Sequence, residues 1–107
     1  MSKKQRLARN QLLLSFQAVL VCDTGPATEN YEAVISNLSV IDGRLWIRLL
    51  FDPEAYALKA PVRILGTRLW DESGLFDVGF ALSGKTVSPE SFYETTIHFS
   101  ISGRPRR

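Results

Sequence analysis

Two apolar runs meet across Asp42-Gly43, and this dipeptide constrains the fold more than any other feature of the chain. A two-residue hairpin loop of type I′ needs positive φ at both central positions, which Asp-Gly tolerates. The flanking runs, residues 31–41 and 45–51, are therefore expected to be adjacent antiparallel strands. In the second of them Leu45, Ile47, Leu49 and Phe51 alternate with Trp46 and Arg48, so one face is apolar and the other mixed. The same period of two runs through Leu12, Leu14, Phe16, Ala18 and Leu20, with Ser15 and Gln17 opposite, and stops at the turn cluster Asp23-Thr24-Gly25-Pro26.

Further along, Asp52-Pro53-Glu54 ends the third run, because proline cannot donate to a ladder. Residues 53–60 fit one helical turn or a loop. A fourth run over 62–70 contains Gly66, which marks a bulge or a close backbone approach. After the loop at 71–74, Phe76, Val78, Phe80 and Leu82 alternate with Asp77, Gly79 and Ala81, which predicts a fifth strand with those four side chains on one face. The segment 89–102 is ambiguous. Ser88-Pro89-Glu90 has the chemistry of a helix start, with serine as N-cap and proline in the first turn, yet Ile97, Phe99 and Ile101 alternate like a strand. Five or six strands with short turns predict an all-β domain, a small six-stranded antiparallel β-barrel with a possible C-terminal helix.

Composition narrows what such a barrel does. The chain of 107 residues suits one core, and its 45% hydrophobic share can fill it. One cysteine and one histidine exclude a disulfide framework, a cysteine-built zinc cluster and a pair of catalytic histidines. No glycine-rich phosphate loop and no nucleophile–base–acid set is present, so an enzyme is not expected. The apolar run at 12–14 is far shorter than the ~20 residues of a membrane span, and no leader pattern stands out, so a cytoplasmic location is expected.

Charge is segregated. Lys3, Lys4, Arg6 and Arg9 crowd the first nine residues and Arg104, Arg106 and Arg107 the last four, with all eleven acidic residues between them. The organisation read from this is a basic arm over 1–10, one domain over 11–103 and a basic tail over 104–107. Basic tips suit an anionic partner, onto which a flexible arm can fold; the structural alternative is a pair of solvated ends.

The order of these features resembles the PilZ domain, a small bacterial β-barrel that binds cyclic di-GMP. In that family a basic arm with an R-x-x-x-R motif precedes the first strand, a D/N-x-S-x-x-G motif stands at the second turn, and a later strand closes with Gly and Phe. Here Lys3-Lys4-Gln5-Arg6-Leu7-Ala8-Arg9 occupies the arm, Asn37-Leu38-Ser39-Val40-Ile41-Asp42-Gly43 the turn, and 62–70 followed by Asp77-Val78-Gly79-Phe80 the closing hairpin. The resemblance covers most of residues 3–82. The arm has no R-x-x-x-R, since Arg6 is followed four positions later by Asn10, and the glycine of the turn motif comes one residue late.

The resemblance implies a second-messenger sensor that binds cyclic di-GMP through Lys4, Arg6, Arg9, Asn37, Ser39 and Gly43. Arginine suits that ligand because its planar fork bonds two phosphate oxygens or the O6/N7 edge of guanine. Arg6 and Arg9 would share a face on a helical turn and oppose each other in an extended arm. Asn37 and Ser39 would meet the ligand from the barrel wall; their structural alternative is two polar residues outside a hairpin. A second expectation is a PilZ-like domain that has lost the nucleotide and serves as a protein-interaction adaptor in pilus, motility or exopolysaccharide regulation. A third, a nucleic-acid-binding barrel stacking bases on Trp46 or Tyr31, is disfavoured by the acidic body. No cofactor is expected beyond the nucleotide ligand. For the remaining chemistry-bearing residues the sequence favours structural roles: His98 in an alternating stretch, Cys22 as a small buried hydrophobe, Trp46 and Trp70 in core or rim packing, and Asp71, Glu72 and Asp77 in a solvated hairpin tip.

Overall fold

The computed structural model describes residues 15–72 and 78–100. Seven strands form one antiparallel sheet: β1 (Phe16–Asp23), β2 (Thr28–Ile41), β3 (Arg44–Phe51), β4 (Val62–Asp71), β5 (Phe80–Leu82), β6 (Thr86–Val87) and β7 (Tyr93–Ser100). The order across the sheet is β5-β4-β1-β2-β3-β7, with β6 also on β4. Its two ends, β5 and β7, approach each other without pairing, so the sheet curls into a half-barrel. From Phe16 to Ser100 no α-helix occurs among the described residues.

The alternations that predict strands also fix which face is inside. Phe16, Ala18, Leu20 and Cys22 of β1 and Leu45, Ile47, Leu49 and Phe51 of β3 are buried, joined by Leu38, Val62, Ile64, Leu69, Val87 and Phe99. Asp42 and Gly43 both have positive φ, 52° and 73°, as the hairpin turn requires. At the other tight turn, the Gly25 N–H donates to Asp23 Oδ1 at 2.9 Å and the Thr24 N–H to the Ala27 carbonyl at 2.9 Å.

β2 runs for 14 residues because it serves two partners in turn. Residues 28–33 pair with β1 and residues 34–41 with β3. Ser36 is an extra residue between Ile35, opposite Leu49, and Asn37, opposite Arg48. Its hydroxyl donates to the Arg48 carbonyl at 3.4 Å. A bulge shifts the side-chain phase by one. Tyr31, Ala33 and Ile35 face inward before it, Leu38 after it. Where β2 leaves β3, a 3₁₀ turn (Pro53–Tyr56) covers its edge, capped by Asp52 Oδ1, which accepts from the Glu54 N–H at 3.1 Å. The Tyr56 hydroxyl accepts from the Glu32 N–H at 3.1 Å and donates to the Glu32 carbonyl at 3.2 Å, standing in for a missing strand.

Three expectations change in the fold. The segment 89–102 is not a helix over its described part: residues 93–100 pair with β3 along their whole length. The helix-start chemistry at Ser88 is used in a turn instead, where its carbonyl accepts from the Ser91 N–H and its hydroxyl from the Glu90 N–H. The predicted fifth strand is short and its polarity is reversed, with Phe80 46% and Leu82 85% exposed while Ala81 packs toward the core. Gly66 explains the reversal. A Cβ there would collide with the Phe80 ring, which covers the glycine from outside. Break and bulge fall together, since Val21 pairs with Gly66 and Cys22 with Ile64, leaving Leu65 extra. Finally, the strand count is seven because Thr86–Val87 returns to β4 after the 83–85 interruption. Phe76 and Asp77, like Leu12 and Leu14, lie outside the described residues.

Cys22 is fully buried, as expected of a small hydrophobe, and its thiol lies 3.8 Å from the Leu20 carbonyl. Burial pushes the thiol up from the ordinary 9.0 to about 11. Because the folded value lies above the unfolded one, this contribution to stability is complete below pH 9 and is lost as pH rises through 11. Iodoacetamide at pH 8 should leave the native thiol unmodified and label it fully in denaturant. Equilibrium unfolding should show stability falling by about 1.4 kcal/mol per pH unit across that window.

Candidate functional site

The outer face of β2, β3 and β7 gathers the polar and aromatic residues that the sequence distributes over three segments. In antiparallel pairs, directly opposed residues share a face with Cβ atoms ~5 Å apart. Trp46 stands between Ser39 on β2 and His98 on β7, and Arg48 between Asn37 and Thr96. Arg44, the first residue after the turn, stands between Ile41 and Ser100. Because Leu45, Ile47 and Leu49 take the core face of β3, these three side chains must project outward.

The bulge at Ser36 is what turns Asn37 and Ser39 outward. Without it the inward phase of Tyr31, Ala33 and Ile35 would continue onto Asn37 and Ser39, and Leu38 would face solvent. Both polar residues are half-buried in the strand surface, while Leu38 is buried. Gly43 sits in the turn at the tip of the β2–β3 hairpin, and nothing lies within 4 Å of the position a Cβ would take, so its positive φ accounts for the glycine.

Side-chain contacts tie the face together. The Trp46 and His98 rings lie 4.6 Å apart at centroid, inclined by 39°. An Arg44 guanidinium nitrogen is 3.3 Å from His98 Nδ1. That contact is a hydrogen bond when the imidazole is neutral with Nδ1 as acceptor, which leaves Nε2–H as a donor. Arg48 is paired differently, its Nε 2.9 Å from Glu94 Oε2 at a half-exposed site. Among the described residues no carboxylate pairs with Arg44. The face therefore offers one arginine paired with a glutamate, one without a carboxylate partner among the described residues, a half-buried indole, an imidazole and two polar side chains.

Of the residues the sequence points to, Asn37 and Ser39 lie on this face opposite Arg48 and Trp46, Gly43 lies in the hairpin turn, and Lys4, Arg6 and Arg9 lie outside the described residues. Arg44, Arg48 and His98 join the face without having been assigned to a site. Trp46 belongs neither to the core nor to a rim but to the middle of the outer surface. Trp70 is likewise on the outer face of β4, opposite Gln17. Asp71 departs from its expected solvated tip: it is buried at the end of β4, opposite Phe16. No group of three or more His, Cys, Asp or Glu side chains placed to hold a metal occurs among the described residues, and no helix among them is long and apolar enough to cross a membrane.

Fold and face together define a small antiparallel half-barrel with a polar, aromatic outer surface on three strands. Comparison with protein-family models, curated proteins and solved structures finds no match to this chain.

Proposed function

We propose that the chain is a PilZ-like sensor module that binds cyclic di-GMP on the outer face of β2 and β3. The observation that carries this reading is the joint placement of Asn37 and Ser39, turned outward by the Ser36 bulge and directly opposite Arg48 and Trp46. A dinucleotide with two phosphates and two guanines needs donors for anionic oxygens, hydrogen-bonding groups for base edges and an apolar surface for the rings. Arg44, Asn37, Ser39 and Trp46 supply these at neighbouring positions. In this reading Lys4, Arg6 and Arg9 add cationic contacts to the ligand's phosphates. Asp42 is exposed at the turn and, being anionic, limits how closely a phosphate approaches there.

The test is calorimetric titration of cyclic di-GMP into the wild type, Ser39→Ala and Arg6→Ala/Arg9→Ala. Micromolar binding, about −8 kcal/mol, weakened by both variants supports a receptor with wall and arm. Absence of heat from the wild type at high ligand excess refutes it. One observation favours the alternative, a nucleotide-free adaptor for a protein partner. Phe80 and Leu82 on β5 expose apolar surface on the outer side of β4, where Gly66 leaves no side chain to cover it.

A further inference from the structure

We infer that Trp46, His98 and Arg44 form a purine-stacking subsite on β3 and β7, adjoining Ser39 and resting on the nucleotide-binding reading above, which it deepens. The argument begins with what flanks the indole. On the β7 side His98 lies against it at 4.6 Å; on the β2 side its opposite neighbour is Ser39, a side chain too small to cover a ring. The indole has a ring partner on the β7 side and only a serine opposite it on the β2 side, and Trp46 is half-buried on the outer surface. A tryptophan fixed in this way keeps little rotamer freedom to lose on binding, which favours planar ligands.

Arg44 supplies the second element. It projects two residues along the same face, contacts His98 and has no carboxylate partner among the described residues. Its Nη1 is directed to the imidazole, and its remaining N–H groups are not engaged in any described contact. A guanidinium whose other N–H groups have no partner among the described residues, next to a stacking ring, matches a purine that carries a phosphate: the ring lies on the indole and the fork takes phosphate oxygens or the O6/N7 edge. Arg48 differs in that its Nε is already engaged by Glu94. His98 links the two elements, since it touches both the ring and the fork. The ligand class is therefore a purine nucleotide, which the sensor reading above narrows to guanine. In the sensor reading, the subsite provides from the barrel wall a cationic fork in addition to the arm, whose Arg6 and Arg9 depart from the four-residue spacing of the related motif.

The experiment reads tryptophan emission and calorimetric affinity for two probes, cyclic di-GMP and guanosine monophosphate. The proteins are the wild type, Trp46→Phe, Arg44→Gln and His98→Ala, each checked for folding by circular dichroism. The expected result is quenching by both probes in the wild type, none in Trp46→Phe, which retains Trp70, and roughly tenfold weaker cyclic di-GMP binding in Arg44→Gln. Arg44→Gln is exposed, so its reading stands even if Trp46→Phe misfolds. Cyclic di-GMP binding with unchanged emission and an unchanged Kd in Arg44→Gln overturns the subsite and leaves the sensor reading to Asn37, Ser39 and the arm alone. Quenching by guanosine monophosphate that depends on Arg44, with no heat from cyclic di-GMP, supports the subsite and removes the sensor reading. No quenching by either probe overturns the subsite.

Discussion

Gly66→Ala is expected to destabilise the domain by about 2–4 kcal/mol, an unusually large effect for the addition of one methyl group. A Cβ at this position would overlap the Phe80 ring and stand 2.7 Å from the Ala81 carbonyl oxygen. The ring is half-exposed and can swing aside. The carbonyl belongs to the β5 backbone, which pairs Ala81 with Thr67 and Leu82 with Gly66, so it moves only if β5 moves. The two contributions separate in Gly66→Ala/Phe80→Ala compared with Phe80→Ala alone. Removing the ring should relieve part of the clash, and urea unfolding should still show a loss of at least about 1 kcal/mol from the backbone contact. Near-neutrality of Gly66→Ala in both backgrounds would mean that β5 is not held against β4.

Phe51→Ala should be comparably severe, at about 3–5 kcal/mol. Phe51 is buried at the end of β3, its ring 5.8 Å from Tyr31 and stacked 5.7 Å from Tyr56. Tyr31 and Tyr56 are themselves in contact at 4.9 Å. This cluster seats the 3₁₀ turn whose Tyr56 hydroxyl completes the hydrogen bonding of Glu32. Loss of the central ring therefore removes packing and loosens the cover over the β2 edge together. Phe51→Leu, which retains most of the volume, should cost less than half as much. Leu82→Ser, on an exposed side chain, should stay within about 0.5 kcal/mol of the wild type in the same thermal or urea melts. An equal loss in Phe51→Ala and Leu82→Ser would place the core elsewhere.

Much of the fold was legible because local and global signals agree. Asp42-Gly43 predicted the hairpin, and the alternation in β1 and β3 predicted their buried faces. Asp52-Pro53 predicted the break after β3. The failures share a cause: each depends on a partner that a single segment does not reveal. The alternation from Phe76 to Leu82 looks like a buried face, but β5 lies beside Gly66, whose bare backbone draws Phe80 to the outside. The segment after Ser88 carries both helix-start chemistry and strand alternation, and pairing with β3 decides between them. Asp71 looks like part of a solvated tip until β4 places it opposite Phe16.

The candidate site was legible in part. Asn37, Ser39 and Gly43 stood out by their resemblance to a family motif; the first two lie on the outer face and the third in the turn. The signal that turns the first two outward was also present in the sequence, as a phase slip from Tyr31, Ala33 and Ile35 to Leu38. Arg44, Trp46 and His98 could not be linked from sequence alone, because 54 positions separate Arg44 from His98 and only the β3–β7 register brings them together.

The most direct test of the central claim, that the outer face of β2, β3 and β7 is a nucleotide-binding surface, is a backbone amide NMR titration of the full chain with cyclic di-GMP. The account predicts saturable shifts concentrated at Asn37, Ser39, Arg44, Trp46 and His98, together with the Trp46 indole N–H and arm residues Arg6 and Arg9. Shifts centred on β4 and β5, or a spectrum unchanged at saturating nucleotide, would contradict it.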